Sequence, residues 1–467
     1  MTMSSRLWKF TAAAVASICA AALLGSCAAE DFLNNLPGEN ANELYASSID
    51  DTMGTVSTAA DGAGTEQAQT DGTVTAPTDS APDAAQTSAQ AVTETASTPD
   101  SSSEPEKEDK IVAVSAPPNP YAAEYFLTNE SDLLKESYRK LYEGVFSYQT
   151  VVELPEKAVT GEEIEDLLNF VLKTGSALDL PGSKYEVFVD SESYVTKVNL
   201  TYNHTVKEGM AMYDALMKRV DEIVAEAEPL LTDYDKIKYF HDTIINGCMY
   251  DLNAPDAHTA YGALVSGRAV CDGYMKAFQL LCEKANIASV PAYGKSIAAD
   301  ASGEEHIWNK VSCGGEWFNL DVTWDDPVGD QQVLRYDYFL VDDATIAHGV
   351  ITQTNRFMNV PAATNAYGDY YTRNNLVLGY DNDLSYQFEQ LVTKNMVGDW
   401  TDFNVDFRCL DKNLFDQIRV QYFTEASDGS KGFGYLLQDY MAPGEALRYT
   451  FSQNENVYAY HINVSKG

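Results

Sequence analysis

Basic residues are scarce in this chain of 467 residues. It has 31 lysines and arginines against 70 aspartates and glutamates, which gives a formal net charge of −39. A nucleic-acid backbone would repel a protein of this charge, and no basic stripe in the sequence offsets the repulsion. Nucleic-acid binding is therefore not expected, and we interpret the acidity as a source of solubility.

Paired metal ligands are also missing. The chain has seven cysteines, but none of them forms a C-x-x-C pair, and no EF-hand pattern D-x-[DN]-x-[DN]-G occurs. These spacings are the usual sequence signs of structural zinc and of calcium loops. The sequence therefore predicts no metal site and no cofactor.

Apolar runs long enough to span a membrane are absent. Phe10–Leu24 is apolar but shorter than the ~20 residues that a spanning helix needs. The run follows Arg6 and Lys9 and leads into Leu24-Gly25-Ser26-Cys27, which resembles a bacterial lipobox. We predict a lipoprotein signal peptide at 1–26 and diacylation of Cys27, which would anchor the protein at the extracytoplasmic face of the membrane. An ordinary secretory signal is the alternative.

Aromatic residues are nearly absent between about residues 42 and 118. This stretch is rich in Ser, Thr, Ala, Gly, Asp, Glu and Pro. Such a composition cannot bury enough apolar area to offset the entropy of ordering. We predict that residues 27–117 form the lipid anchor and a disordered acidic linker, which holds a folded body away from the membrane.

Helical and strand periodicity begins at Tyr121. After an opening helix, residues 118–207 show the order β-α-β-β, which indicates a small α+β module. Residues 376–467 repeat a similar order, with YLLQDYM and NVYAYHINV both interpreted as strands. Two helices at 208–230 and 232–248 open the central domain, which we place at 208–375.

Cys271 stands at the predicted start of a helix. It shares one helical stripe with Tyr274, Met275, Phe278 and Cys282. A helix N-terminus favours a thiolate and offers N–H groups to a developing oxyanion. Cys271 is therefore a candidate nucleophile, whereas Cys282, in mid-helix, is expected to be a buried thiol. Gly273 is expected to leave room for a substrate beside the sulfur.

A candidate base and its partner lie on a predicted hairpin. If Gly314-Gly315 is a two-residue turn, paired residue numbers sum to 629, so that His306 faces Thr323 and Trp308 faces Asp321. His306 and Asp321 are then diagonal neighbours within reach of each other. A carboxylate there would hold the imidazole in one tautomer. Asp325 and Asp326 are possible rivals for Asp321, but we expect turn or surface acids at these two positions.

Three blocks of sequence resemble a known family. GRAVCDGYMKAF, EEHIWNKV and EWFNLDVTWDDP are similar to the signature blocks of the bacterial transglutaminase-like domain, a branch of the papain-like thiol enzymes. The resemblance covers roughly residues 230–350. It implies an α+β fold in which a helix bearing Cys271 packs on an antiparallel sheet, flanked by the small α+β modules. It also implies a triad of Cys271 as nucleophile, His306 as general base and acid, and Asp321 as orienting group.

The resemblance implies acyl transfer on amide bonds of protein or cell-wall peptide. Hydrolysis would make the protein a peptidase or deamidase, and attack by an amine would make it a transglutaminase; the sequence leaves both open. Tyr250 is a candidate second donor to the oxyanion. Tyr336–Leu340 and His348 resemble the family's closing segment and are expected to be structural. The alternatives are a non-catalytic scaffold that binds peptide or glycan, and a structural protein with Cys271 in a disulfide.

Overall fold

The computed structural model describes the chain in several ranges. These are residues 52–57, 120–178, 181–297, 303–327, 333–380, 384–394, 396, 400–424, 432–438, 440–441 and 446–466. The predicted signal peptide, Cys27 and all of the predicted linker except 52–57 lie outside these ranges. Within the described residues, no helix combines the length and apolarity needed to cross a membrane.

The first described element lies inside the predicted linker. Strand β1 (Thr52–Ser57) pairs antiparallel with residues 446–451 near the C-terminus. Thr52, Thr55 and Val56 are β-branched and favour extended backbone. The disordered acidic linker stays a prediction, and within it this short segment finds hydrogen-bond partners at the edge of a sheet distant in sequence.

The N-terminal module follows the predicted order. It comprises α1 (Tyr121–Leu127), α2 (Asp132–Phe146), β2 (Val151–Glu153), α3 (Ile164–Thr174), β3 (Pro181–Val189) and β4 (Val195–Tyr202). The strands form an antiparallel sheet in the order β2-β4-β3. Tyr138, Phe170 and Val198 are among the residues fully buried in its core. Just before helix α3, the Glu163 carboxylate accepts hydrogen bonds from the Thr160 backbone N–H and hydroxyl, each at 3.0 Å.

The central domain is built around one buried helix. Its first half comprises α4 (Val206–Ala227), α5 (Asp233–Gly247), β5 (Met249–Tyr250), β6 (Arg268–Ala269) and α6 (Cys271–Lys284). Thr232 caps α5 by accepting a hydrogen bond from the Asp235 N–H. Residues 273–282 of α6 are all buried, so the helix is covered on every side rather than along the single predicted stripe.

A four-stranded antiparallel sheet packs against α6. Its strands are β7 (Ser289–Ser296), β8 (Glu305–Cys313), β9 (Glu316–Leu320) and β10 (Val350–Gln353), in the order β10-β7-β8-β9. The short helix α7 (Asp343–Ile346) precedes β10. Gly314 and Gly315 have φ of 62° and 86°, as a two-residue turn requires. The predicted register holds from the pair Cys313–Glu316 to the pair Asn309–Leu320.

The C-terminal module departs from prediction in one strand. After α8 (Tyr370–Arg373) at the end of the central domain, the module comprises β11 (Val377–Leu378), α9 (Leu384–Thr393), β12 (Asp402–Cys409), α10 (Lys412–Ile418), α11 (Phe433–Gln438), β13 (Ala446–Asn454) and β14 (Ala459–Lys466). Most of YLLQDYM, predicted as a strand, belongs to α11. Phe433 and Leu437, one helical turn apart, are both fully buried and favour the helix. The strand that completes the β-α-β-β pattern is β13.

The two outer modules share a sheet topology. In both, the third strand lies between the first and the second: β2-β4-β3 in one and β12-β14-β13 in the other, all antiparallel. The C-terminal sheet adds β1 and β11 at its edges. The similar element order noted in the sequence therefore corresponds to a similar strand arrangement.

Candidate active site

Cys271 is the first residue of α6 and the most accessible of the described cysteines. It is half-buried, whereas Cys248, Cys282, Cys313 and Cys409 are buried. Burial raises the pKa of Cys248 to about 12 and that of Cys282 well above its usual range, which makes these thiols poor nucleophiles. None of these five forms a disulfide in the part of the chain that the structure describes, so the disulfide considered for Cys271 is not seen there.

His306 and Asp321 form a buried pair beside this thiol. His306 Nε2 lies 2.5 Å from Asp321 Oδ2, and both side chains are almost fully shielded from solvent. The Cys271 side chain is the second hydrogen-bonding partner of this imidazole. The imidazole also stacks on Trp324, with ring centroids 4.4 Å apart and an interplanar angle of 7°. The structure thus brings the three predicted residues into one connected group.

The charges of this group favour a protonated imidazole. Burial lowers the pKa of His306, but the Asp321 carboxylate and the hydrogen bond to Cys271 outweigh it and raise the pKa to about 10. An imidazolium next to a thiol stabilises the thiolate by its charge. The arrangement therefore places a protonated imidazole beside the Cys271 side chain at neutral pH.

Asp321 reaches His306 from a turn rather than from a strand. Strand β9 ends at Leu320, so the predicted pairs of His306 with Thr323 and of Trp308 with Asp321 do not form. Instead, Asp321 Oδ1 accepts hydrogen bonds from the backbone N–H groups of Thr323 and Trp324, both at 3.1 Å. These bonds occupy one carboxylate oxygen and aim the other at the imidazole.

Asp325 and Asp326 lie in the same turn, as one of the two predicted placements had it, but both are buried rather than at the surface. Asp325 Oδ2 is 3.1 Å from His241 Nε2, and Asp326 accepts a hydrogen bond from the Tyr274 hydroxyl at 2.5 Å. Burial raises the pKa of Asp325 to about 6 and that of Asp326 to about 7. Both carboxylates support the turn that carries Asp321.

His241 was missed by sequence reasoning. It is fully buried in α5, between Asp242 at 3.0 Å from Nδ1 and Asp325 at 3.1 Å from Nε2. A signal was available, because His241 directly follows Phe240 and lies one helical turn from Ile237 on the buried side of the helix. A buried histidine requires polar partners. Asp325 and Asp326, to which the sequence analysis assigned no partner, were candidates for this role.

Gly273 serves packing rather than substrate access, which corrects its predicted role. A Cβ on Gly273 would lie 2.4 Å from the Ala257 carbonyl oxygen and 2.7 Å from the Ala269 Cβ. The glycine therefore lets the loop before α6 approach the first turn of the helix. Within that loop region Tyr250 pairs with Ala269, two residues before Cys271, which keeps Tyr250 a candidate for the oxyanion.

We expect Gly273→Ala to lower the free energy of unfolding by about 1–3 kcal/mol, the usual cost of overpacking a filled core. Urea denaturation measures this change. Gly247→Ala is the matched control, because no described heavy atom lies within 4 Å of a Cβ built there. Unchanged stability of Gly273→Ala with a raised KM would instead show that the position borders the substrate.

The family comparison covers the same part of the chain. Residues 219–322 match the Transglutaminase-like superfamily, a span that contains Cys271, His306 and Asp321. The chain contains a transglutaminase-like domain. The α+β fold predicted from the three sequence blocks is thereby confirmed. No group of three or more His, Cys, Asp or Glu side chains among the described residues is arranged to hold a metal ion in or around this transglutaminase-like domain.

Two curated relatives share sequence with the transglutaminase-like region. Kyphoscoliosis peptidase from Mus musculus is 25% identical over 165 residues, which are 33% of this chain and 24% of the relative. The Homo sapiens protein of the same name is 24% identical over 151 residues, 30% of this chain and 23% of the relative. This chain therefore spans about a quarter of the length of these relatives.

Solved structures resemble the chain only in part. A TGase crystal structure is 16% identical with a TM-score of 0.23 and covers 34% of this chain and 47% of its own. A candidate cysteine protease from Cytophaga hutchinsonii is 14% identical with a TM-score of 0.22 and covers 32% of this chain and 65% of its own. Because both TM-scores are low, the assignment of the transglutaminase-like domain rests on the match to residues 219–322.

Proposed function

We propose that the protein is a thiol enzyme of the cell surface that cleaves or transfers amide bonds through Cys271, His306 and Asp321. The observation that carries the proposal is the connected group itself. The half-buried Cys271 thiol is hydrogen-bonded to the His306 imidazole, and the Nε2 of this imidazole lies 2.5 Å from Oδ2 of the buried Asp321. Nucleophile, base and orienting group within hydrogen-bond reach are the signature of covalent acyl transfer.

The mechanism follows from the positions of these groups. The Cys271 thiolate attacks an amide carbonyl, and the N–H groups at the start of α6, with Tyr250 as a second candidate donor, stabilise the oxyanion. The C–N bond breaks as the His306 imidazolium protonates the leaving amine, and a thioester forms on Cys271. Water or a second amine then attacks the thioester while His306 takes up its proton.

We further propose that the substrate is protein or cell-wall peptide. A lipid on Cys27 would hold the protein at the extracytoplasmic face of the membrane, and the acidic linker would extend its reach. The net charge of −39 argues against a nucleic-acid partner.

A non-catalytic peptide- or glycan-binding scaffold is the alternative. The buried pair of His306 and Asp321 favours the enzyme, because removing an imidazolium and a carboxylate from water costs free energy that a binding surface has no reason to spend. A scaffold could replace both residues with apolar side chains at no loss.

The test incubates the purified protein with candidate peptide acyl donors, with and without a primary amine, and identifies products by mass. Cys271→Ala is the control. Loss of ammonia with water incorporated shows deamidation, a mass increase by the amine shows transfer, and shortened peptide shows hydrolysis. Iodoacetamide alkylation of Cys271 against pH supplies a second readout, since the enzyme requires reaction well below a free thiol's pKa of ~8.5. An ordinary alkylation profile together with the absence of all three products would leave only the scaffold.

A further inference from the structure

The segment Arg335–Tyr338 joins the active site to the C-terminal module. The Tyr338 carbonyl accepts a hydrogen bond from the Asp321 N–H at 3.2 Å, and the Tyr338 N–H donates to Asp325 Oδ1 at 2.8 Å. The Tyr338 ring lies 4.9 Å from Trp324, the residue that stacks on the imidazole of His306. The peptide groups of Tyr338 therefore fix both ends of the turn that aims Asp321.

The residue before Tyr338 is held by the C-terminal module. Asp337 is fully buried, and its Oδ2 accepts from Asn454 Nδ2 at 2.8 Å and lies 3.2 Å from His461 Nε2. His461 lies on β14, and its Nδ1 is 2.9 Å from Asp406 on β12. We name Asp337, Asn454 and His461 the carboxylate clamp, because together they tie the segment to two strands of the module.

Arg335 makes a second connection parallel to the clamp. Its Nη2 donates to the Ser452 hydroxyl of β13 at 2.7 Å, while its backbone N–H donates to the Asp325 carbonyl at 3.2 Å. One residue thus contacts both the C-terminal sheet and the catalytic turn. The segment is anchored on its module side by side chains and on its active-site side by backbone.

The charges in the clamp favour a buried ion pair. Burial and Arg335 lower the pKa of His461, but the Asp337 and Asp406 carboxylates outweigh them and raise this pKa. Burial raises the pKa of Asp337, but His461 and Arg335 outweigh it and keep that pKa low. A buried ion pair often contributes less stability than an apolar pair of similar volume. An ion pair restricts the relative position of its two groups more than an apolar contact does, which suits a role in fixing the position of Asp337.

We propose that the C-terminal module sets the orientation of the catalytic carboxylate, with Asp337 and His461 as positioning residues for Asp321. This inference rests on the proposed function of the Cys271 site. Because Asp337 and Tyr338 are consecutive, holding the Asp337 carboxylate limits the movement of the Tyr338 peptide. Release of the clamp lets the Asp321 turn shift, and a misplacement of about 1 Å can lower a catalytic rate by about a hundredfold.

The test compares His461→Leu with His461→Gln and with Ile462→Ala in the full-length protein. Leucine removes the hydrogen bond to Asp337, whereas the glutamine amide can still donate it. Ile462 is the next residue on β14, buried in the module's core, and its truncation destabilises the module without touching the clamp. Each variant is assayed for thermal unfolding, for alkylation of Cys271 against pH, and for kcat and KM once the product assay has supplied a substrate.

We expect His461→Leu to move the alkylation profile of Cys271 toward that of an ordinary thiol and to lower kcat roughly ten- to a hundredfold with little change in KM. His461→Gln should restore much of both. Ile462→Ala should keep the wild-type alkylation profile at a similar loss of thermal stability. Asn454→Ala removes the Asn454 bond to Asp337 and leaves that of His461. It gives a milder variant if His461→Leu does not fold, and the same direction of change is expected.

This inference would be overturned, and the proposed function would stand, if the alkylation profile of His461→Leu equalled that of the wild type. If His461→Leu does not fold, the same comparison is made with Asn454→Ala. Equal perturbation by the clamp variant and by Ile462→Ala would also overturn it, since the module would then act through stability alone. An ordinary thiol profile in the wild type, seen before any substitution, would instead remove the proposed function on which the inference rests.

Discussion

His306→Ala is expected to reduce turnover as far as Cys271→Ala does, by roughly 10⁴–10⁶ in kcat. The imidazole bonds both to the thiol and to Asp321, so that its removal takes away the proton acceptor, the proton donor and the cation that stabilises the thiolate. Members of a group that act as a unit are not additive, and the double variant should be no slower than either single one. Single-turnover assays with the substrate from the product screen measure this comparison.

Asp321→Asn separates orientation from proton transfer. Asparagine keeps the shape of the side chain but loses the charge that raises the pKa of His306 to about 10. Because burial then acts with less opposition, the pKa of His306 should fall, and the alkaline limb of the activity profile should move to lower pH. A pH profile of activity that is unchanged in Asp321→Asn would contradict the assigned role.

For the comparison of His306→Ala with Cys271→Ala, losses in kcat that add in the double variant would contradict the coupled mechanism.

Asp325→Ala is expected to lower the free energy of unfolding by about 3–5 kcal/mol, the range for breaking a buried charged pair. The substitution leaves His241 buried with one carboxylate partner fewer and also removes the acceptor of the Tyr338 N–H. Chemical denaturation, with the m-value checked for constancy, measures the loss.

The control for this effect replaces both partners. His241→Leu combined with Asp325→Leu should be less destabilising than Asp325→Ala, because no unpaired imidazole remains in the core. Recovery should be incomplete, since the Tyr338 N–H still lacks its acceptor. Asp325→Ala with wild-type stability would show that the pair is solvated in solution and does not support the catalytic turn.

Local pattern was sufficient for several parts of the site. The glycines at 314 and 315 set the turn, and the turn set the register of β8 against β9, because hairpin pairing follows from the residues that close it. Cys271 was placed at a helix start by the apolar spacing of the residues after it. These features depend on residues close together in the chain, which is why the sequence alone determined them.

Contacts between distant residues decided the rest. Where β9 ends and how Asp321 turns toward His306 depend on the Tyr338 backbone, on His241 from α5 and on a clamp that involves β13 and β14. The helix α11 and the added strand β1 likewise formed against partners far away in the chain. Periodicity reports which side of an element is buried but not what buries it, so the tertiary structure alone decided how the carboxylate is held and by which module.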